Sequence, residues 1–367
     1  MSDGTTSNEL KFENEEDEDE LIDISQFDKV SSYNVTYTVE TLINKIENDE
    51  ICLKPEFQRN FVWDIKTASG FIDSLLIELP TPTIFLGIRK NDEKFIVIDG
   101  QQRLKSLYQY IKKEDFFKDN AHKQFKLTFK QEPGYKQPQW AGLTFSTLNK
   151  VLQRRLNNAQ INVTVVQYSD VTPDLVFELF NRLNSKGVKL LPQEIRNCVY
   201  AGDFNNLLTR LNRDINWRKL VGPVEDSRFQ DIELILRFFA LYYDVKVYKP
   251  SMKSFLSDFI RKNRNLEHFG DTELTSLFKA TMETIADQIG EEAFRRESVK
   301  LNRSLFDAVA VGVARGITSQ KLNKDLRKHY SQFLKKYFSS ASAMEGTTER
   351  AKVQDRIELA EQLFTHE

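Results

Sequence analysis

The sequence predicts an α+β protein in which a mixed α/β domain, residues 31–202, precedes an all-helical domain, residues 203–367. Short β-branched runs with period-two alternation, such as Ile161–Tyr168, occur almost entirely in the first part. From Phe204 onwards apolar residues recur at helical spacing in one run after another. That pattern is typical of a bundle of about six or more helices.

The first 30 residues differ from both domains in charge. They carry eleven acidic and two basic side chains, whereas the whole chain has a net charge of −2, so the remainder is mildly basic. An acidic segment with few aromatic residues is expected to be disordered. Two interpretations stay open: a solvated tail, or an arm that competes with nucleic acid for a basic surface on the same chain.

Composition excludes several classes of protein. With 367 residues, 40% of them hydrophobic, the chain can bury a sizeable core. It contains no run approaching 18 apolar residues and no basic-then-apolar start, so we expect a cytoplasmic protein without membrane association. The two cysteines, Cys52 and Cys198, belong to no metal-binding or disulfide pattern.

Local patterns place the elements of the mixed domain. A short strand and an amphipathic helix are predicted over Val35–Ile46, and a further helix over Lys66–Leu79. Two strands, Thr83–Arg89 and Phe95–Ile98, are predicted to form a hairpin, and Ile161–Tyr168 is predicted to be another strand. Two helices joined by a turn follow, the first from Thr172 to about Asn184 and the second from Pro192 to Tyr200.

The hairpin leads into the most distinctive stretch of the chain, Asp99-Gly100-Gln101-Gln102-Arg103. A buried strand ends there and a helix begins, so backbone N–H groups and the positive end of the helix dipole collect at one point. Gly100 allows a ligand close to the backbone. The stretch can therefore hold an anion such as a phosphate. The alternative is a tight turn in which Asp99 caps the helix.

A second polar pair lies among large apolar anchors. Gln58 and Arg59 are flanked by Phe57, Phe61 and Trp63. Polar groups set so closely among aromatic rings are either well paired or face a cleft, and a surface loop remains the alternative.

Residues 103–155 carry twelve Lys or Arg against four Asp or Glu, interleaved with aromatic residues that include Phe116, Phe117, Phe125, Phe129, Tyr135, Trp140 and Phe145. Cations meet phosphates and aromatic rings stack on bases, so this segment is a candidate DNA-contacting surface. A merely solvated basic surface is the alternative. The helix-turn-helix at 172–200 is only a weak indication of DNA reading, because most helix pairs are simply packed.

Familiar catalytic motifs are absent from the sequence. The four histidines, His122, His268, His329 and His366, stand in no HExxH, HxxxH or HNH-type setting, and we predict no histidine-based metal site. There is no GxxxxGK[ST] loop, no GxGxxG after a strand and no GxSxG elbow. Carboxylates can still hold magnesium.

Four motifs together resemble the N-terminal domain family of GmrSD-type, modification-dependent restriction systems. They occur in the family's order and spacing over roughly residues 36–200. The motifs are Leu53–Trp63 (LKPEFQRNFVW), Phe71–Leu76 (FIDSLL) with Leu79–Pro82 (LPTP), Ile98–Leu104 (IDGQQRL), and Phe180–Gly187 (FNRLNSKG) with Glu194–Arg196 (EIR).

The resemblance implies a fold similar to ParB and sulfiredoxin, with a nucleotide phosphate at the strand-to-helix junction. Asp99, Gly100, Gln101, Gln102 and Arg103 would form the nucleotide loop for ATP or GTP, and the pair at 58 and 59 would face it across the cleft. The catalytic candidates are Asp99, which would orient Mg²⁺ or water, and Arg103, which would supply positive charge.

This chain departs from the full-length restriction members in lacking an HNH-like histidine cluster. We therefore expect a nucleotide-binding, NTP-hydrolysing component of a restriction-like or anti-phage system that acts on DNA and relies on a partner nuclease or effector. A homo-oligomer is also allowed. The alternatives are a non-catalytic DNA-binding or adaptor module, and a helical interaction protein whose DGQQR stretch is structural.

Overall fold

The computed structural model describes residues 10–12, 30–53, 63–89, 93–112, 125–130, 136–168, 191–296, 300–337 and 347–366. Their contacts divide them into two compact units. The mixed unit lies within Asp23–Leu190, and the helical unit comprises the described residues from Leu191 onwards together with residues 10–12. The combination of strands and helices confirms the predicted α+β class. None of the described helices is both long enough and apolar enough to span a membrane.

The mixed unit contains a five-stranded sheet in the order β1-β5-β3-β4-β2. The β1/β5 and β3/β4 pairs are antiparallel, and the β3/β5 and β2/β4 pairs are parallel. The described elements of this unit are β1 (Val30–Thr38), α1 (Val39–Glu47), β2 (Ile51–Cys52), α2 (Ile65–Leu76), β3 (Ile84–Arg89), β4 (Phe95–Asp99), α3 (Gln101–Lys112), α4 (Lys150–Asn158) and β5 (Gln160–Tyr168).

One face of this sheet is covered by helices, and the sequence explains why. Along β5, Ile161, Val163 and Val165 alternate with more exposed residues and are fully buried. The apolar faces of α1, α2 and α3 pack into the same core as these strand residues. The helices begin at capping residues, since the Asp64 carboxylate accepts a hydrogen bond from Thr67 N at 2.7 Å.

Most predicted elements of the mixed unit are confirmed. The hairpin forms from β3 and β4, the helix after the junction is α3, and the late strand is β5. Strand β2 was missed because two residues are too short to show a period. The predicted helix from Thr172 to Asn184 lies outside the described residues.

The described elements of the helical unit are nine α-helices and a short 3₁₀ helix at Val245–Val247. The α-helices are α5 (Pro192–Val199), α6 (Asp203–Leu211), α7 (Ile215–Val221), α8 (Gln230–Asp244), α9 (Met252–Lys262), α10 (Asp271–Gln288), α11 (Arg303–Thr318), α12 (Leu326–Tyr337) and α13 (Arg350–Phe364). Helix α8 is almost wholly buried, and α11 packs against α8, α10 and α13. The short helices α6 and α7 were not singled out by the sequence patterns.

The boundary between the units falls at Leu191, earlier than the predicted boundary at residue 202. Helix α5 therefore belongs to the helical unit, because its Arg196 is bonded to Ser257 and to the Lys253 carbonyl in α9. Residues 10–12 also lie in this unit, where Phe12 pairs with Leu301. The predicted disorder of the other acidic residues concerns a part of the chain that is not described.

A buried ionic cluster joins three helices of the helical unit. The Asp307 carboxylate accepts bonds from Arg237 Nη2 at 2.7 Å and from Arg356 Nη2 at 2.6 Å, and all three side chains are at most 2% exposed. Burial alone would raise the pKa of Asp307, but attraction to the two guanidinium groups outweighs it and lowers the pKa. Asp307 is therefore held as a carboxylate.

Candidate functional site

The junction between β4 and α3 forms as the sequence predicts. Strand β4 ends at Asp99, Gly100 adopts φ +97°, and α3 begins at Gln101. The first helical hydrogen bond runs from Leu104 N to the Gly100 carbonyl at 3.0 Å. The positive end of the helix dipole lies at this turn, and a positive potential there favours an anion.

Strand β4 is irregular just before this junction. The pairing with β3 passes from Phe85↔Asp99 to Leu86↔Val97, so Ile98 is an extra residue without its own partner. A bulge of this kind rotates the residues that follow it and is common beside functional sites. Here it sets the direction of the Asp99 side chain, which is about one third exposed.

Gly100 is required by the packing of the junction itself. Its φ of +97° is strained for any side chain, and a Cβ there would lie 2.8 Å from Ile84 Cγ1. The glycine therefore allows β4 to turn tightly into α3 over β3. The same requirement holds whether or not a ligand approaches the backbone.

Arg103 is buried beneath the junction and does not extend into solvent. Its side chain is 9% exposed, and Nη2 donates to Asp99 Oδ2 at 2.8 Å. Nη1 donates to the carbonyls of Pro82 and Thr83. Burial lowers the pKa of Arg103, and the neighbouring carboxylate partly offsets that effect. The guanidinium thus holds the end of β4 against the start of β3.

Gln102 connects the junction to the preceding loop. Its Oε1 accepts a hydrogen bond from Trp63 N at 3.3 Å. Trp63 ends the segment that contains Gln58 and Arg59, and these two residues lie outside the described part of the chain. Their predicted place across a cleft from the junction stays a prediction.

Helix α3 also buries polar residues that the sequence reasoning did not select. Lys105, Ser106 and Gln109 are at most 2% exposed, and Ser106 Oγ donates to the Gln102 carbonyl at 2.7 Å. A lysine is seldom buried unless it is paired or functional. The repetition of polar residues at 101, 105 and 109 was the available signal, because it indicates a polar stripe along one helix face.

The basic segment contains fewer available aromatic rings than the sequence suggested. Trp140 and Phe125 are buried, Phe125 packs edge-on against Tyr110, and Phe129 and Phe145 also pack against the core. These four rings are used for packing, so base stacking by them is not supported. Phe116, Phe117 and Tyr135 lie outside the described residues.

The basic residues of the same segment are exposed. Between 125 and 168 the sequence has six Lys or Arg and a single acidic residue, Glu132. The six cations are all exposed at the described positions, namely Lys126, Lys130, Lys136, Lys150, Arg154 and Arg155. They give this part of the mixed unit a positive surface suited to phosphate backbones.

The Glu194–Arg196 motif belongs to the helical unit, whereas the junction belongs to the mixed unit. Glu194 Oε2 accepts bonds from Leu191 N at 2.6 Å and from Arg228 Nη2 at 2.8 Å. Arg196 is bonded within the same unit, to Glu233 among others. Both residues have identified partners in the helical interior.

A metal site made by protein groups alone is not found in the described residues, where no cluster of three or more His, Cys, Asp or Glu side chains could hold an ion. Asp99 fits a magnesium nucleotide in a limited sense. Mg²⁺ is usually bound by one or two carboxylates together with substrate phosphates and water, and Asp99 offers one partly exposed carboxylate at the junction.

Fold and junction together define a mixed α/β domain in which a strand turns into a helix at Gly100, followed in the chain by a helical unit. Residues 39–201 match the family model described as GmrSD restriction endonuclease, N-terminal domain. This segment of the chain therefore belongs to the GmrSD N-terminal domain family, which confirms the resemblance inferred from its motifs. A comparison with curated proteins returned no match.

Proposed function

We propose that this protein is a nucleotide-binding, NTP-hydrolysing component of a restriction-type defence system that acts on DNA. The observation that carries the proposal is the junction in residues 99–103, where a bulged strand, a positive-φ glycine and a helix N-terminus meet within a domain of the GmrSD family. A ParB/sulfiredoxin-like arrangement of this domain is part of the same proposal.

Each residue of the junction has a proposed role. At the first turn of α3, formed by Gln101 and Gln102, the positive end of the helix dipole attracts a phosphate. Arg103 contributes a fixed positive charge behind the loop and does not contact the phosphate directly. Its guanidinium is held in place by the Asp99 carboxylate and by two backbone carbonyls. We propose that Gln58 and Arg59 contact the nucleotide from the neighbouring loop.

Asp99 is the group proposed to act on the reaction. Its carboxylate is shared between Arg103 and solvent, so one oxygen can orient a water molecule for attack on the terminal phosphorus. Attack by that water breaks the bond to the leaving diphosphate oxygen and releases a nucleoside diphosphate, inorganic phosphate and a proton. Mg²⁺ would supply charge neutralisation of the phosphates.

DNA contact is proposed for the exposed cations between 126 and 155 of the mixed unit. Because the described aromatic rings of this segment pack against the core, the contact should be to phosphates and largely independent of sequence. Each cation that contacts a phosphate adds to the salt dependence of binding, so affinity should fall steeply between 50 and 200 mM salt.

The test is calorimetric titration of the full chain with each NTP, with and without magnesium, alongside measurement of phosphate release. Asp99→Asn keeps the shape of the side chain, so nucleotide binding should persist while turnover falls by at least tenfold. Asp49→Asn is a matched control, since the Asp49 side chain is 43% exposed, pairs with Lys94 much as Asp99 pairs with Arg103, and has φ +58°, which asparagine tolerates.

Three results separate the alternatives. Binding without turnover in the unmodified chain, with or without DNA, would favour a non-catalytic DNA-binding or adaptor module. No binding of any NTP would leave the DGQQR stretch structural and contradict the proposal. Equal turnover in Asp99→Asn and Asp49→Asn would remove Asp99 from the mechanism.

A further inference from the structure

A short segment near the start of the chain lies against the helical unit in the manner of a bound peptide. Leu10, Lys11 and Phe12 belong to that unit, whereas the next described residue, Val30, begins the first strand of the mixed unit. Leu10 and Phe12 are half-buried against the helical core, and Lys11 between them is exposed. This alternation is typical of an extended segment that inserts every second side chain.

Two buried groups of the helical unit bind the backbone of this segment. The Asp226 carboxylate, in the loop between α7 and α8, accepts a hydrogen bond from Leu10 N. Leu301, which directly precedes the N-cap residue of α11, donates its N–H to the Lys11 carbonyl at 2.9 Å. Asp226 and Leu301 are 4% and 2% exposed. The unit therefore recognises an extended main chain at this point.

Leu301 also joins the segment to a small ladder. It forms an antiparallel bridge with Arg295 and a parallel bridge with Phe12. The centroid of the Phe12 ring lies 3.9 Å from Arg303 Cζ, a cation–π contact that fixes the position of the ring. Addition of an extended segment beside an existing bridge is a common way for proteins to bind peptides. We call the surface formed by Asp226, Leu301 and Arg303 the docking groove.

Asp226 obtains one of its hydrogen bonds from the segment. Its Oδ1 accepts from Arg228 N at 2.8 Å and from Gln230 N at 3.1 Å, whereas its Oδ2 accepts from Leu10 N. Burial raises the pKa of Asp226, and these backbone donors oppose that rise. If the segment left, a buried carboxylate oxygen would lose its donor, which is unfavourable. The docking groove is therefore most stable when an extended segment occupies it.

The contact is small enough to open while the helices stay packed. Among the described residues it consists of the two backbone hydrogen bonds, the bridge to Leu301 and the half-buried side chains of Leu10 and Phe12. The core of the unit is formed by long helices such as α8, α10 and α11. A terminal segment held by few contacts opens locally at a small part of the global free energy of unfolding.

The length of the chain after the segment allows it to reach a second molecule. Residues 13–29 connect Phe12 to Val30, and a connection of this length spans at most about 60 Å, roughly twice the diameter of a small domain. We propose that the segment is exchanged between two copies of the chain, so that Leu10–Phe12 of each copy occupies the docking groove of the other. Every copy carries the sequence that fits the groove, and an exchanged pair re-forms the contacts of two separate chains.

The balance between separate chains and exchanged pairs depends on the chain concentration. Within one chain, the connection holds the segment near its own groove at an effective concentration of the order of millimolar. Once one segment has been exchanged, the second exchange takes place within the complex and benefits from a similar effective concentration. The resulting dimer is symmetric, because each copy donates and accepts the same segment.

The first test is the molar mass of the full chain, measured by size-exclusion chromatography with light scattering over a wide range of concentration. We expect a dimer whose fraction rises with concentration. Leu10→Pro removes the N–H that Asp226 accepts and Phe12→Ala removes the ring, so the double variant should dimerise at least tenfold more weakly. Lys11→Ala is the matched control, because its side chain is exposed and its carbonyl is retained. Circular dichroism and Tm confirm that each variant is folded.

A mixing experiment detects the exchange itself. Asp226→Asn keeps one oxygen for the backbone at the start of α8 but loses the acceptor for Leu10 N, so this variant has an impaired groove and an intact segment. The double variant has an intact groove and an impaired segment. Each variant alone should be monomeric. An equimolar mixture should form a heterodimer through one exchanged segment, captured by a tag on one of the two chains.

Three results would overturn the proposal. If the unmodified chain is monomeric at every concentration and the mixture gives no heterodimer, the segment binds only within its own chain. If the double variant and Lys11→Ala dimerise equally, the dimer contact lies elsewhere. If a fluorescein-labelled peptide of residues 5–16 binds the double variant while the unmodified chain stays monomeric, the groove binds peptides but is not exchanged between copies. Failure to bind or hydrolyse NTP leaves these tests unaffected.

Discussion

Replacing Arg103 with alanine tests whether the arginine of the DGQQR stretch stabilises the folded mixed unit in addition to any role in nucleotide binding. The side chain bonds to the Asp99 carboxylate and to the carbonyls of Pro82 and Thr83. Alanine removes all three bonds and leaves a space beneath the junction. A loss of nucleotide binding in this variant is therefore uninformative unless its stability is known.

The magnitude follows from how exposed each partner is. The Asp99 side chain is 36% exposed, so water can replace the guanidinium there at little cost. The carbonyls of Pro82 and Thr83 lose a charged donor, but Pro82 is exposed and Thr83 is half-buried, so water can partly replace the guanidinium and each lost bond costs about 0.5–1.5 kcal/mol. The free energy of unfolding of the mixed unit should fall by about 1–3 kcal/mol, which lowers Tm by roughly 5 °C.

Urea denaturation followed by circular dichroism and tryptophan fluorescence measures this change. Arg155→Ala is the control within the same unit, since Arg155 is 41% exposed, lies 3.5 Å from an exposed carboxylate oxygen of Glu78 and donates to one carbonyl, that of Leu76, at 3.2 Å. Its loss should cost at most about 1 kcal/mol. If Arg103→Ala destabilises the unit no more than Arg155→Ala, the guanidinium does not hold the two strands together and our reasoning is refuted.

Three further changes have defined outcomes. Gly100→Ala should destabilise the mixed unit by about 2–3 kcal/mol through its φ of +97° and the contact with β3, whereas Gly70→Ala, with no atom within 4 Å, should add about 0.5–1 kcal/mol; equal Tm values would contradict this. Asp307→Asn should cost about 3–5 kcal/mol by leaving buried guanidinium groups unbalanced. Folding lowers the pKa of Asp307, so its contribution to the free energy of unfolding is present above the unfolded pKa of about 3.9 and is lost as the pH falls further. A plot of the free energy of unfolding against pH should therefore fall less steeply below pH of about 4 in Asp307→Asn than in the unmodified chain. Trp140→Phe removes the 2.8 Å bond from Nε1 to Asp73 Oδ1 and should cost about 1 kcal/mol, measured by urea denaturation with circular dichroism.

The position of the candidate site in the chain was predictable from the sequence, but the contacts made by its side chains were not. A strand ending at Asp99, a glycine and a helix beginning at Gln101 are all local signals, and each is confirmed. The burial of Arg103 was not predictable, because its carbonyl acceptors in Pro82 and Thr83 are 20 or more residues away. The polar stripe of α3 was visible as a pattern, yet its burial depends on neighbouring elements.

The basic segment illustrates the same division. Composition located the cations, and the exposed positions from Lys126 to Arg155 agree with it. Composition could not tell which rings face solvent, and Phe125 and Trp140 are buried against the core. A ring contributes equally to a core and to a base-stacking surface, so only its neighbours decide its role.

Local propensity and periodicity were sufficient for the α+β class, the β3–β4 hairpin and the junction at 99–103, because those features depend on residues close together in the chain. The tertiary structure decided the placement of α5 with the later helices and the buried cluster in which Arg237 and Arg356 share the Asp307 carboxylate. The two arginines lie 70 and 49 positions from Asp307 in the chain and are brought to it by packing. No short window of sequence contains such a cluster, since the balance of buried charges is a property of the folded neighbourhood.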